Sequence, residues 1–184
     1  PFSLRIFPGQ NTTVHAAWNV VTNLGADISL HYARYDLVEH RWNQPTTLNQ
    51  KTGGGVGSFG PSYPSLVDTG KQVIVFYNSG NPYPNLPVEQ GRPMQVVSIS
   101  NDNGDTWTPP FIPFNRHQGR SGENTMALDG ENIPHALFIQ RVQMTGNGEE
   151  RVIGGIWHSE FKDGIWSNPE RFITNYPAHD VRAV

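Results

Sequence analysis

The chain has 184 residues, enough for one good core and too few to require two domains. Hydrophobic residues make up 36% and charged residues 16%, with 19 Gly and 15 Pro, which excludes a disordered chain and fits many short strands joined by many turns. A net charge of −3 without a basic stripe excludes nucleic acid, zero Cys excludes disulfides and thiolate metal sites, and no run of about 18 apolar residues is present to span a membrane.

The chain opens at Pro1 with no Met and no signal-peptide pattern, so it reads as a mature or recombinant form or as a piece of something longer. The first predicted strand surrounds Leu4 and closes in a tight turn at Gly9. A second follows in Val14-His15-Ala16-Ala17-Trp18, a third over residues 28–32, and a fourth begins near Trp42, in Trp42-Asn43-Gln44-Pro45. Asn11-Thr12-Thr13 is a glycosylation sequon, meaningful only in a eukaryotic secreted protein. Gly55-Val56-Gly57-Ser58-Phe59-Gly60 spells G-x-G-x-x-G but follows no buried parallel strand, and Pro61 comes next in place of a helix. It is expected to be a loop between repeat units.

The second unit repeats the order. Leu66 and Gly70 mark its first strand and turn, Val73-Ile74-Val75-Phe76-Tyr77 its second strand, residues 94–99 its third, and Trp107-Thr108-Pro109-Pro110 the start of its fourth. Its long loop, residues 79–93, carries four prolines together with Tyr83, Glu89 and Arg92. Such a stiff loop suits stacking on a sugar ring or gripping a partner surface. The third unit is entered by a loop holding Arg116, Arg120 and Glu123, a candidate anion site. It continues through Leu128, Gly130, Pro134-His135-Ala136-Leu137-Phe138, residues 152–158 and Trp166-Ser167-Asn168-Pro169. Tyr176-Pro177 echoes Tyr63-Pro64, and Asp180 then falls where a next unit would begin.

Three ladders run in step. The tryptophans are spaced 65 and 59 residues apart, the second strands 59 and 61, and Leu4, Leu66 and Leu128 by 62 and 62. No stretch shows the 3.6-residue apolar period. Four-stranded antiparallel units repeating at about 60 residues predict an all-β fold, a β-propeller. A β-sandwich explains the strands but not the ladders. The expected blades cover residues 1–49, 62–114 and 123–174, with a fourth starting over 175–184, as part of a six-bladed ring. Either further blades belong to it, or two copies combine as a homodimer. His15 and His135 share a repeat position, which favours packing over metal binding, and no cofactor is expected.

Ser100-Asn101-Asp102-Asn103-Gly104-Asp105-Thr106-Trp107 matches S-x-D-x-G-x-T-W in full, at the turn between third and fourth strands. Asp102 can accept backbone N–H bonds there, Gly104 permits a positive φ, and Trp107 packs between neighbouring sheets. Ser159 to Trp166 has the same length with decayed chemistry, and Ala33 to Trp42 keeps only the Trp. On these residues the chain resembles the sialidase-like, Asp-box (BNR repeat) propellers. The resemblance implies that Ser100, Asp102, Gly104, Thr106 and Trp107 serve folding, on the face opposite the usual binding mouth. It also implies three carboxylate-gripping arginines in the enzymes of the family, the first in an R-I-P motif. Leu4-Arg5-Ile6-Phe7-Pro8 comes near it with one extra Phe. The tyrosine–glutamate pair and the aspartate of such enzymes do not assemble here. The expectation is an extracellular, periplasmic or cell-surface propeller that recognises carbohydrate or a protein surface. A sialidase-like exo-glycosidase with Arg5 and a loop arginine in its clamp is the first alternative, and a structural subunit of a surface assembly the second.

Overall fold

The computed structural model describes residues 2–22, 27–51, 60–79, 94–114, 121–140, 142–144, 150–152 and 155–174, and every regular element among them is a β-strand. The first sheet runs β1 (Phe2–Pro8), β2 (Thr13–Thr22), β3 (Asp27–Asp36) and β4 (Arg41–Trp42), with β5 (Thr46–Lys51) also paired to β3. The second is β6 (Ser62–Asp68), β7 (Val73–Ser79) and β8 (Met94–Ser100). The third contains β9 (Ser121–Leu128) and β10 (Pro134–Gln140). A separate ribbon, β11 (Val142–Met144) and β12 (Glu150–Val152), follows it before β13 (Gly155–Lys162), β14 (Ile165–Trp166) and β15 (Glu170–Thr174) return to the third sheet. All pairings within these sheets are antiparallel. Inner strand β1 packs on β6, and β6 on β9, so the sheets stand radially about a common centre as a β-propeller.

Sequence chemistry explains each layer. Strands β7 and β8 are buried along their entire length and accordingly read as near-continuous apolar runs. Strand β13 alternates buried and partly exposed residues, the period of a sheet with two different faces. Its hairpin to β14 turns on Asp163 (φ 53°) and Gly164 (φ 80°), the left-handed pair that a two-residue type I′ turn requires.

Several sequence expectations are corrected. The strand of the third unit begins at Gly155, because Val152 belongs to the ribbon with β11. Trp42 and Trp166 close strands of only two residues. After Pro45 and Pro169 the longer β5 and β15 take over the edges of β3 and β13. In the second sheet a single bridge, Val97 to Phe111, stands where the fourth strand was expected. The leucine ladder is also out of register. Ile6 lies opposite Ala16, Leu66 opposite Val75 and Met126 opposite Ala136, so these three hold one position. Leu4 stands two residues before Ile6 and Leu128 two residues after Met126, so neither holds that position. The unit expected over residues 175–184 lies outside the described residues.

Two cores hold the sheets together. Leu30, Tyr32 and Leu48 of the first sheet meet Leu66, Val73, Val75 and Tyr77 of the second, with Trp107 packed against them. Ile74, Phe76 and Val97 of the second, with Phe114 of the segment that follows it, meet Met126, Phe138, Trp157 and Phe161 of the third, with Trp166 alongside. Each fully buried large side chain contributes about 1.5–3 kcal/mol of transfer free energy. Trp42 occupies the same repeat position but is 48% exposed, because no described sheet covers that side of the first.

A buried polar fastener crosses the first junction. The Tyr32 hydroxyl is hydrogen-bonded to His15 Nδ1 at 2.7 Å, and His15 Nε2 lies 3.2 Å from Asp68 Oδ2, which also accepts from the Gln10 backbone N–H at 2.7 Å. Burial lowers the His15 pKa, with Asp68 offsetting only part of the effect. Since the unfolded chain then binds a proton more readily than the folded one, His15 adds stability above about pH 6.5, which is lost as pH falls below it. The denaturant midpoint of the wild type should therefore drop between pH 7 and pH 5.5. His15→Gln should flatten that slope, and an unchanged slope in the variant would remove His15 as its source.

Candidate functional site

The connections from β2 to β3 and from β7 to β8 lie at one end of the sheets, the end that the family resemblance makes the mouth, and the turns after β1, β6 and β8 lie at the opposite end. Arg5 stands on β1 opposite Ala17, on the face that also carries Phe7 into the first core. Glu123 stands near the mouth end of β9. Sequence alone places it in a loop, because Ser121-Gly122-Glu123-Asn124 is too polar to look like a strand. An inner strand can be polar because part of it faces the central channel. Arg5 Nη2 reaches Glu123 Oε2 at 3.5 Å, with side-chain exposures of 29% and 25%, so the two bridge the first and third inner strands. Ser65, in the position Arg5 holds on β1, is small and accepts the Met126 N–H at 2.7 Å, tying β6 to β9 beside that bridge.

Next to Glu123 on the chain, Asn124 turns into the cleft between the second and third sheets. Its Nδ2 lies 3.3 Å from Asn78 Oδ1 and 3.5 Å from Gln95 Oε1. Gln95 Nε2 and Asn124 Oδ1 are buried without a hydrogen-bond partner, a condition costing about 1–3 kcal/mol for each group. Asn78, Gln95 and Asn124 were not foreseen from the sequence. The available signal was an amide at an inward position of an otherwise apolar strand, as in Tyr77-Asn78 and Met94-Gln95.

Of the other candidate residues, Tyr83, Glu89, Arg92, Arg116, Arg120 and Asp180 lie outside the described residues, as does most of the G-x-G-x-x-G stretch. His135 sits 3.3 Å from Asp129 Oδ2 and 2.8 Å from His158 Nε2. Among the described residues no group of three His, Asp or Glu side chains is arranged to hold a metal ion.

The Ser100–Trp107 turn lies at the opposite end. Asp102 Oδ1 accepts the Thr106 N–H at 2.8 Å and the Ser100 hydroxyl at 2.7 Å, while Oδ2 accepts the Thr106 hydroxyl at 2.5 Å. These donors hold the Asp102 carboxyl down to a pKa of about 2. Gly104 adopts φ 90°, and Trp107 Nε1 donates to its carbonyl at 3.1 Å. Arg34 of the first sheet reaches the turn, pairing with Asp105 at 3.1 Å and donating to the Asn103 carbonyl. With its acceptors engaged inside the turn, Asp102 builds the junction and offers little to a ligand.

No family model and no curated protein matches the chain. Among solved structures it is similar to the GH93 α-L-arabinofuranosidase of Fusarium graminearum in complex with arabinobiose. The TM-score is 0.61 at 11% identity, over 92% of this chain and 49% of that one. It is similar also to a thermostable family-43 glycoside hydrolase, with a TM-score of 0.55 at 13% identity, over 96% of this chain and 61% of that one. The chain therefore spans about half to three-fifths of the length of these structures, and at such identities the likeness is one of fold.

Proposed function

We propose that this propeller recognises carbohydrate at its mouth without cleaving it, and that it works outside the cell, in the periplasm or on the cell surface. The observation that carries this reading is the Arg5–Glu123 pair, partly exposed at the mouth beside the buried amides Asn78, Gln95 and Asn124. A partly exposed charge pair presents donors and acceptors together, the set that sugar hydroxyls need, while the buried amides tie together the second and third sheets behind it. Support also comes from the sharing of this fold with two glycoside hydrolases.

A binding role is preferred over a glycosidase for a geometric reason. Glycoside hydrolysis commonly needs two carboxyl groups about 5–9.5 Å apart. Among the described residues of the three inner strands, Glu123 is the one carboxylate at the mouth end. The Arg5 guanidinium is already balanced by Glu123, which favours a neutral sugar over the carboxylated one that a free arginine clamp would select. The second reading, an exo-glycosidase, is favoured by the arabinobiose held in the first of the similar structures.

A glycan array carrying neutral and sialylated oligosaccharides tests the proposal, followed by calorimetry on the best binder. Arg5→Ala should weaken binding of a neutral glycan about tenfold or more, since a charge-assisted hydrogen bond contributes about 1.5–3 kcal/mol. Binding to sialylated glycans alone would overturn the preference for neutral sugar. Hydrolysis of a fluorogenic glycoside that Arg5→Ala abolishes would overturn the non-cleaving role.

A further inference from the structure

Building on the proposal that the mouth takes a neutral carbohydrate, we infer that Tyr63 is the platform on which it sits, its ring lying against the apolar face of one sugar unit. The mouth ends of the three inner strands share one device. Each carries a bulge of one extra residue, over residues 2–5 of β1, 62–65 of β6 and 121–124 of β9. Counted back three residues from the shared position of Ile6, Leu66 and Met126, these bulges hold Ser3, Tyr63 and Glu123. Arg5 of β1 reaches Glu123 of β9, and β6 packs on both of those strands, so their bridge spans the strand that carries Tyr63. Tyr63 is the middle member of a row whose flanking strands already meet through charged groups.

The fold holds Tyr63 there against its backbone preference. Its φ is 52°, a left-handed conformation that a bulky side chain rarely takes. Pro64 follows, and a residue before proline favours extended backbone. Glycine is the usual occupant of a left-handed bulge position. The matching place on β1 goes to Ser3, at φ 54°, so the bulge itself demands no aromatic ring.

The core makes no demand for the ring either. Tyr63 is half-buried and belongs to neither apolar cluster, and among the described residues its hydroxyl makes no hydrogen bond. Strained residues of this kind gather where ligands bind, and a bulge is the means by which a strand re-aims one side chain. A tyrosine so placed offers a flat apolar face and a polar tip beside a partly exposed charge pair. The ring can cover the C–H face of a sugar while the phenol, guanidinium and carboxylate meet its hydroxyls.

Tyr63→Asn separates a platform from a packing residue, because Asn tolerates left-handed backbone and carries no ring. Its denaturant midpoint should equal or exceed that of the wild type, since strain is relieved and little packing is lost. Its affinity for neutral oligosaccharides such as cellotetraose and xylotetraose, measured by calorimetry, should fall about tenfold. Tyr63→Phe keeps the ring and should stay within about threefold of the wild type. Unchanged sugar affinity in Tyr63→Asn would sink the platform while leaving the carbohydrate reading intact. A clear drop in its denaturant midpoint would show that the ring serves the fold, and would sink the platform equally. A wild type that binds no neutral oligosaccharide would remove both the reading and the platform.

Discussion

Gly104→Ala is expected to lower folding stability by about 3–5 kcal/mol, enough to leave much of the chain unfolded at moderate temperature. Two independent effects combine. A Cβ on residue 104 would lie 2.0 Å from Tyr32 Oη and 2.5 Å from its Cζ, and that ring is fully buried in the first core with its hydroxyl tied to His15. The ring cannot withdraw without breaking that bond and its edge contact with Trp107. Residue 104 also needs φ 90°, a region costly for any side-chain-bearing residue. Gly164 is the control. It holds φ 80° at the matching turn of the third sheet, but a methyl group there would have nothing within 4 Å. Gly164→Ala should therefore cost only the backbone part, about 1–2 kcal/mol. Guanidinium unfolding of both variants checks the contrast. Equal losses would show that the crowding against Tyr32 is not what fixes Gly104.

Phe76→Ala should cost about 3–5 kcal/mol, the usual loss when a buried aromatic is truncated in a core that cannot collapse around the hole. Phe76 is completely buried, and its ring lies 6.3 Å from Phe114, 5.9 Å from Phe138 and 5.6 Å from Trp166. Those partners come from the third sheet and a connecting segment, each fixed by its own contacts, so the cavity stays open. Phe172, 70% exposed on the last strand, is the comparison, and Phe172→Ala should fall within about 0.5 kcal/mol of wild type. Hydrogen exchange should localise the Phe76 defect. Protection should fall in β10 and β13, where the third sheet leans on the hole, and persist in β2 and β3 across the other junction.

The architecture was legible because propeller sheets repeat, and repetition survives where individual motifs decay. Trp107 and Trp166 disclosed their positions through an unchanged spacing to the strand before them. Register was harder to read. Spacing alone does not say which apolar residue of a strand holds a given position, so Leu4 and Leu128, each two residues away from Ile6 and Met126, mimicked partners of Leu66. Strand β9 was hidden for a different reason. Its first residues are polar, and Glu123 and Asn124 therefore look like loop residues until the pairing to β10 is seen.

The site was less legible than the sheets. Arg5 stood out through the motif it nearly matches, but nothing local indicated that its partner would be Glu123, brought over from two sheets further round the ring. Asn78 and Gln95 were concealed in apolar runs, where a single amide reads as a tolerated exception. Their pairing with Asn124 depends on how the second and third sheets lean together, and no spacing within one sheet encodes that.

The His15–Tyr32–Asp68 fastener gives the two seams of this chain different chemical sensitivities. The first seam adds ionisable groups to its apolar core, with Arg34 clasping the turn of the next sheet, whereas the second adds neutral amide contacts to stacked rings such as Phe114 and Phe138, 5.0 Å apart. Acid loosens the former more than the latter, while cooling weakens the apolar packing of both. A propeller built this way is expected to open first at one particular seam when the medium turns acid.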